Sequence, residues 1–184
     1  DLTNGNAIIV TDVGQNQMMA CRYFKYDSKR CLVTSGGLGT MGFALPAAIG
    51  AAIGAPERQI CMFAGDGGIQ MTIQELGTIM EYNIPVKMII LNNKFLGMVR
   101  QWQELFFRER YSSTPMKSPD FIKLASAYGI KGRKVTCREE LDDAINDMFE
   151  TKGAYLLEIE VEENGMVYPM IPAGTNVGNI ILGD

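Results

Sequence analysis

Cys61-Met62-Phe63-Ala64-Gly65-Asp66-Gly67-Gly68 opens the stretch that decides the fold, and Val86-Lys87-Met88-Ile89-Ile90-Leu91-Asn92-Asn93 closes it. Residues 61–64 read as a strand running into a glycine-rich turn. Between the two ends, Ile69, Ile73, Leu76, Ile79 and Met80 fall at helical intervals, with Gln70, Gln74 and Glu81 between them. The spacing predicts a helix over 69–82, stopped by Asn83 and Pro85. About thirteen helical residues run roughly 20 Å at about 1.5 Å each. The strand over 86–91 returns roughly 20 Å at about 3.3 Å per residue. A parallel crossover of this kind brings the ends of both strands to one sheet edge. Asp66 and Asn93 are then neighbours where open α/β sheets bind ligands.

Working outward, strand-like runs alternate with helical ones. Residues 7–11 read as a buried strand, with Asp12-Val13-Gly14-Gln15-Asn16 as the turn into a short helix over 17–22. Residues 24–30 form a polar loop and 31–34 a strand ending at Ser35-Gly36-Gly37. Pro46 suits the first turn of a helix rich in alanine and glycine. Residues 96–107 read as helix, 108–119 as polar loop, 120–128 as helix stopped by Gly129, and 132–135 as a short strand. An amphipathic helix over 138–151 precedes a last strand over 154–161. The expected architecture is α/β: a doubly wound, mostly parallel sheet of about six strands with helices on both faces. Residues 1–184 read as one domain, with 162–184 as a C-terminal covering tail.

Composition narrows the function classes. A net charge of −4 and a pI near 5.0 argue against nucleic acid, which calls for a basic face. No run of about eighteen apolar residues is present to span a membrane. Cys21, Cys31, Cys61 and Cys137 are scattered, with no C-x-x-C, which suits reduced thiols in a cytoplasmic protein. The chain does not begin with methionine and runs at once into a strand. It reads as a piece of a longer protein.

The chemistry at the two ends of the opening stretch suits a hard cation with a phosphate-bearing partner. Asp66 offers a carboxylate, Asn93 an amide oxygen, and the chain has no histidine. Mg²⁺ takes a few protein oxygens and fills its octahedron with phosphate and water. Gly67 and Gly68 leave room for an anion to approach the backbone. Taken alone, each residue has a plainer reading as well. Asp66 could cap the helix, Asn92-Asn93 could be a strand-end turn, and Met41 and Trp102 could be core packing. Glu75 and Glu81 read as a solvated or packed helix face, and Arg100 as a surface or interface charge.

Gly65-Asp66-Gly67 followed by Asn92-Asn93 resembles the thiamine diphosphate signature. Gly37-Leu38-Gly39-Thr40-Met41-Gly42-Phe43-Ala44-Leu45-Pro46, Lys94-Phe95-Leu96-Gly97-Met98-Val99-Arg100-Gln101-Trp102 and Tyr168-Pro169-Met170-Ile171-Pro172 narrow it further. They resemble the thiamine diphosphate-binding C-terminal third of acetolactate synthase (acetohydroxyacid synthase) catalytic large subunits.

The resemblance implies the thiamine diphosphate-binding fold and a set of roles. Asp66, Asn93 and the backbone carbonyl of Phe95 would hold Mg²⁺. Gln15, Asn16, Gly67, Gly68, Leu96, Gly97 and Met98 would contact the cofactor. The family commonly has histidine where Asn16 stands, so a cationic contact is replaced by an amide. The Gly39 carbonyl and the Met41 amide would grip the aminopyrimidine. The Met41 side chain would hold the cofactor bent, which raises the rate of an intramolecular proton removal by proximity. Met98, Val99 and Trp102 would face substrate.

The activity implied is decarboxylation of pyruvate and transfer of the hydroxyethyl unit to pyruvate or 2-oxobutyrate, early in branched-chain amino-acid synthesis. An activating glutamate would come from the N-terminal pyrimidine-binding domain of a neighbouring subunit, in a homodimer or tetramer. FAD would be bound mainly outside this chain, and a regulatory small subunit is a further implied partner. By itself the chain is expected to bind Mg²⁺–thiamine diphosphate weakly and to turn over no pyruvate. Two alternatives remain: another thiamine diphosphate decarboxylase, carboligase or oxidase, or a non-catalytic assembly module with a vestigial site.

Overall fold

A computed structural model of the chain describes residues 2–26 and 29–183. Of the polar loop read at 24–30, Asp27 and Ser28 lie outside the described residues. The strands are β1 (Ala7–Thr11), β2 (Leu32–Thr34), β3 (Gln59–Gly65), β4 (Val86–Asn92), β5 (Lys131–Val135) and β6 (Tyr155–Glu160). Among the described residues they form one six-stranded sheet, ordered β2-β1-β3-β4-β6-β5. Every pairing is parallel. The helices are α1 (Gln15–Tyr23), α2 (Ala44–Gly54), α3 (Asp66–Ile69), α4 (Leu76–Tyr82), α5 (Gly97–Phe106), α6 (Phe121–Ala127) and α7 (Leu141–Glu150).

Side-chain alternation along the strands builds two cores, one on each face. Ile8 and Val10 of β1 join Ile60 and Met62 of β3 and Met88 and Ile90 of β4 on one face. There they pack with Leu45 of α2, Leu76 and Ile79 of α4 and Phe121 of α6. Ala7, Ile9, Cys61, Ile89 and Leu157 point to the other face, against Ala144 and Met148 of α7. Each fully buried aliphatic side chain contributes about 1.5–3 kcal/mol. Lys87 interrupts the apolar run of β4 yet is only 1% exposed. Its ammonium donates to the carbonyls of Thr151 and Gly153, just past the end of α7. A cation there complements the carbonyl end of the helix. Burial holds the Lys87 pKa below its ordinary value.

The helix expected over 69–82 is broken. The chain makes α3, a turn, a 3-10 segment at Ile73–Glu75, and then α4. Thr72 leaves helical geometry, with φ −135° and ψ 27°. Its hydroxyl donates to the Gly42 carbonyl at 2.8 Å. A tertiary contact thus overrides a periodic pattern that local propensity alone would have kept helical. The crossover survives: β3 and β4 pair with Gly65 opposite Leu91, so Asp66 and Asn93 do follow adjacent strand ends.

Chain order reverses between β1 and β3. From β1 the sheet grows outward to β2, and from β3 it grows the other way. Ligand crevices of open α/β sheets form at this switch, beyond the carboxyl ends of the strands.

Candidate functional site

A cavity of about 520 Å³ opens over the carboxyl ends of β1, β3 and β4. Its floor is Gly65, Gly67 and Gly68. Gln15 and Asn16, at the start of α1, form one wall. Gly39 and Met41 form another, and Asn93 with residues 95–99 a third. The chain after β6 closes a side with Glu162, Gly165 and Val167. Of the residues singled out in the sequence, Trp102 lies away from this wall. It is 44% exposed and packs edge-on against Phe106, with ring centroids 5.9 Å apart.

Asp66 lies just behind the floor and is fully buried. Its Oδ2 accepts from the Ser118 hydroxyl at 3.0 Å, while its Oδ1 has no hydrogen-bond partner. Burial raises the Asp66 pKa, against the opposing pull of Ser118 and of the backbone amides of Gly67 and Asn93. A buried carboxylate oxygen left unpaired is costly, and a cation is the partner that best offsets it. The carboxylate therefore fits a bound metal.

Asn92 and Asn93 both fold their side chains onto the following turn. Asn92 Oδ1 accepts from the Lys94 amide at 3.1 Å, and Asn93 Oδ1 from the Phe95 amide at 3.1 Å. An amide oxygen has a second lone pair, so Asn93 can still serve a cation. The turn is pinned from outside. Met116 donates to the Lys94 carbonyl at 2.7 Å and Leu96 to that of Thr114 at 2.9 Å. The Phe95 carbonyl accepts no backbone hydrogen bond among the described residues. No cluster of three His, Cys, Asp or Glu side chains occurs among those residues. A metal here would rest on one carboxylate, neutral oxygens and a ligand's own oxygens.

Gln15 is heavily engaged within the chain. Its Nε2 donates to Gly165 O at 2.7 Å and to Gln101 Oε1 at 3.1 Å, and its Oε1 accepts from Asn93 Nδ2 at 3.2 Å. A Cβ on Gly97 would stand 2.1 Å from that oxygen, so any larger residue at 97 would displace the Gln15 amide from this contact. Asn16 donates to the Val13 carbonyl at 2.9 Å, and its buried Oδ1 is unpaired. The two floor glycines are also packed against side chains of this chain. A Cβ on Gly68 would stand 2.7 Å from Asp12 Oδ2, and one on Gly67 2.9 Å from Leu96 Cδ2. The held Asp12 carboxylate thus calls for glycine at 68, whereas at 67 the neighbour is the flexible end of Leu96.

Arg100, read as a surface or interface charge, is largely covered within this chain. Its side chain is 13% exposed, and its guanidinium carbon lies 5.0 Å from the Phe95 ring centroid and 4.9 Å from that of Tyr111. It also donates to the Glu163 carbonyl at 3.2 Å. Stacking between two rings suits the weakly hydrated guanidinium and takes it off the surface. Gln101, 2% exposed, grips the chain after β6 through both polar groups of Val167, each at 3.0 Å.

Three partners escaped the sequence reading. Asp12 is 1% exposed and accepts from the Val13 amide at 2.8 Å and the Gly42 amide at 3.0 Å. Its position straight after an apolar strand, like that of Asp66, was the available signal. Ser118 and Glu158 had none. Glu158 is 3% exposed in β6, accepts from Asn92 Nδ2 at 2.8 Å and lies 3.3 Å from Lys134 Nζ.

Residues 12–159 match the family model described as thiamine pyrophosphate enzyme, C-terminal TPP binding domain. The chain is 43% identical over 177 residues to the acetolactate synthase isozyme 2 large subunit of Escherichia coli (strain K12), covering 96% of this chain and 32% of that protein. It is 47% identical over 182 residues to the acetolactate synthase large subunit of Lactococcus lactis subsp. lactis, covering 98% and 32%. Against acetolactate synthase 1, chloroplastic, of Nicotiana tabacum the identity is 46% over 189 residues, covering 98% and 28%. The chain spans less than a third of the length of each of these relatives. No helix among the described residues is long and apolar enough to cross a membrane. With most of its length matched, and a cavity at the switch point of a parallel sheet, the chain belongs to the thiamine pyrophosphate enzyme family as a C-terminal TPP binding domain.

Proposed function

We propose that this domain holds Mg²⁺ and thiamine diphosphate for an acetolactate synthase, acting on pyruvate and on pyruvate or 2-oxobutyrate as second substrate. The observation that carries the metal site is the unpaired, buried Oδ1 of Asp66 beside the Asn93 turn. Asp66, the Asn93 side-chain oxygen and the Phe95 carbonyl are the ligands in this reading. Gln15 and Asn16 orient the diphosphate as neutral amides, so neither contact carries charge. Gly39 and Met41 grip the aminopyrimidine through the backbone, and the Met41 side chain props the cofactor from below. Bound thiamine diphosphate supplies the nucleophilic carbon and the electron sink. Met98 and Val99 exclude water and shape the room for the second 2-oxoacid, with Trp102 beyond them at its approach.

The remaining parts lie outside this chain in the same reading. A glutamate from the pyrimidine-binding domain of a neighbouring subunit handles the aminopyrimidine proton, in a homodimer or tetramer. FAD and a regulatory small subunit bind elsewhere. The free thiols of Cys21, Cys31, Cys61 and Cys137 support a cytoplasmic setting.

The test is product analysis with the protein at its natural length, given pyruvate with and without 2-oxobutyrate. The expected products are acetolactate and, when both acids are present, the mixed acetohydroxy acid. Acetaldehyde or acetyl phosphate as the main product would overturn the reading. The chain of residues 1–184 alone is expected to form no acetolactate.

A further inference from the structure

Residues 36–40 stand exposed at the mouth of the cavity, and Leu38 is 93% exposed. Their own anchoring is slight: Gly39 donates to the Ser35 carbonyl at 3.0 Å and Thr40 to the Ser35 hydroxyl at 3.1 Å. Yet Met41 follows at once, and its Cε lies 3.7 Å from where a Cβ on Gly67 would be. Something must fix the chain between the exposed loop and α2. Gly42 is where this happens. Its amide donates to both carboxylate oxygens of Asp12, at 3.0 and 3.1 Å. Its carbonyl accepts from the Thr72 hydroxyl at 2.8 Å.

We propose that Asp12 and Thr72 are positioning residues that set Met41 by clamping Gly42 from both sides. The inference rests on the role given to Met41 under the proposed function. The Gly42 amide shares a rigid peptide plane with the Met41 carbonyl, so holding that N–H fixes the direction in which the Met41 backbone leaves the loop. The clamp leaves no slack. Gly42 has φ +83°, and a Cβ there would stand 2.7 Å from Met71 Cβ. Asp12 is itself held by the Val13 amide at 2.8 Å and wedged against Gly68. One buried carboxylate therefore ties the Met41 loop to the turn that carries Asp66. The arrangement also explains the break in the helix at Thr72, whose side chain serves the clamp.

Asp12→Asn tests this in the protein at its natural length. The substitution keeps the shape and an oxygen for Oδ1, but it removes the charge and sets an N–H donor against the Gly42 amide where Oδ2 accepted. Two readouts are taken: hydrogen exchange at Gly42 without cofactor, and the affinity for thiamine diphosphate at saturating Mg²⁺. Exchange at Gly42 should quicken, and affinity should fall about tenfold, the size of a charge-assisted hydrogen bond weakened by loss of the charge and by a facing donor. The same measurements in a Met41→Ala background separate the possibilities. If Asp12 acts through Met41, Asp12→Asn adds less than about twofold to the loss already caused by Met41→Ala. Losses that multiply in full would overturn the clamp while leaving the role of Met41 intact. Met41→Ala binding as tightly as the unaltered protein would overturn that role and the clamp with it. Should Asp12→Asn fail to fold, Thr72→Val frees the other side of Gly42 and runs the same cycle, with the same results deciding.

Discussion

Replacing Asp66 by asparagine removes the one formal charge offered to a metal while preserving size. Its Oδ1 is buried and unpaired, so a bound cation would be its direct partner. Removing one member of a buried charge pair costs about 3–5 kcal/mol. The lower figure corresponds to a roughly 150-fold rise in Kd. A ligand present at a hundred times its Kd stabilises the folded state by about 2.7 kcal/mol. For a chain of this size that is a rise in Tm of about 5–10 °C. At the same ligand concentration the variant would retain about 0.3 kcal/mol, or about 1 °C.

The assay is thermal melting with Mg²⁺ and thiamine diphosphate together, each alone, and neither. Asp120→Asn is the control. It removes a charge from the exposed N-cap of α6, where Asp120 accepts from the Lys123 amide at 3.0 Å. The control should keep the full ligand-dependent rise. An Asp66→Asn variant that kept it as well would refute the assignment of Asp66 as metal ligand.

Gly97→Ala should push the Gln15 amide aside, because its methyl group would meet Gln15 Oε1 at 2.1 Å; a Gln15 side-chain amide with the same NMR shifts as in the parent would contradict that geometry. Gln101→Leu keeps the volume but drops both contacts to Val167, so limited proteolysis should cut within 162–183 faster while the sheet stays folded; an unchanged cleavage rate would show that Gln101 does not hold this segment. Asp12 has its pKa raised by burial, against the pull of the Val13, Gly42 and Ala44 amides. A folded-state pKa above the unfolded one means its contribution is complete below the unfolded value and is lost as pH rises through the folded one. Asp12→Asn should therefore flatten the fall in Tm over that acidic window, and an unaltered slope would count against it.

The centre of the sheet was legible because β1, β3 and β4 are largely apolar runs, and because β3, the crossover and β4 fix one another's direction. What stayed hidden was set by contacts between distant parts of the chain. Residues 69–82 carry a sound helical pattern, but Thr72 leaves it with its hydroxyl on the Gly42 carbonyl, thirty residues earlier. Arg100 looks like any exposed helix charge until Tyr111 folds back to stack on it. Asp66 and Asn93 could be paired from sequence because one crossover joins them. Ser118 reaches Asp66 from a loop that has no periodic signal of its own. Glycines 67 and 68 were legible as necessary, but their packing against Leu96 and Asp12 could not be read without the fold.

The most direct measurement is to substitute Mn²⁺ for Mg²⁺ in crystals grown with thiamine diphosphate and to locate it by anomalous scattering. A single strong peak is expected, bonded to Asp66, the Asn93 side-chain oxygen and the Phe95 carbonyl, with the diphosphate beside it over Gly65, Gly67 and Gly68. A peak elsewhere, or cofactor bound with the Asp66 carboxylate still unpaired, would contradict it.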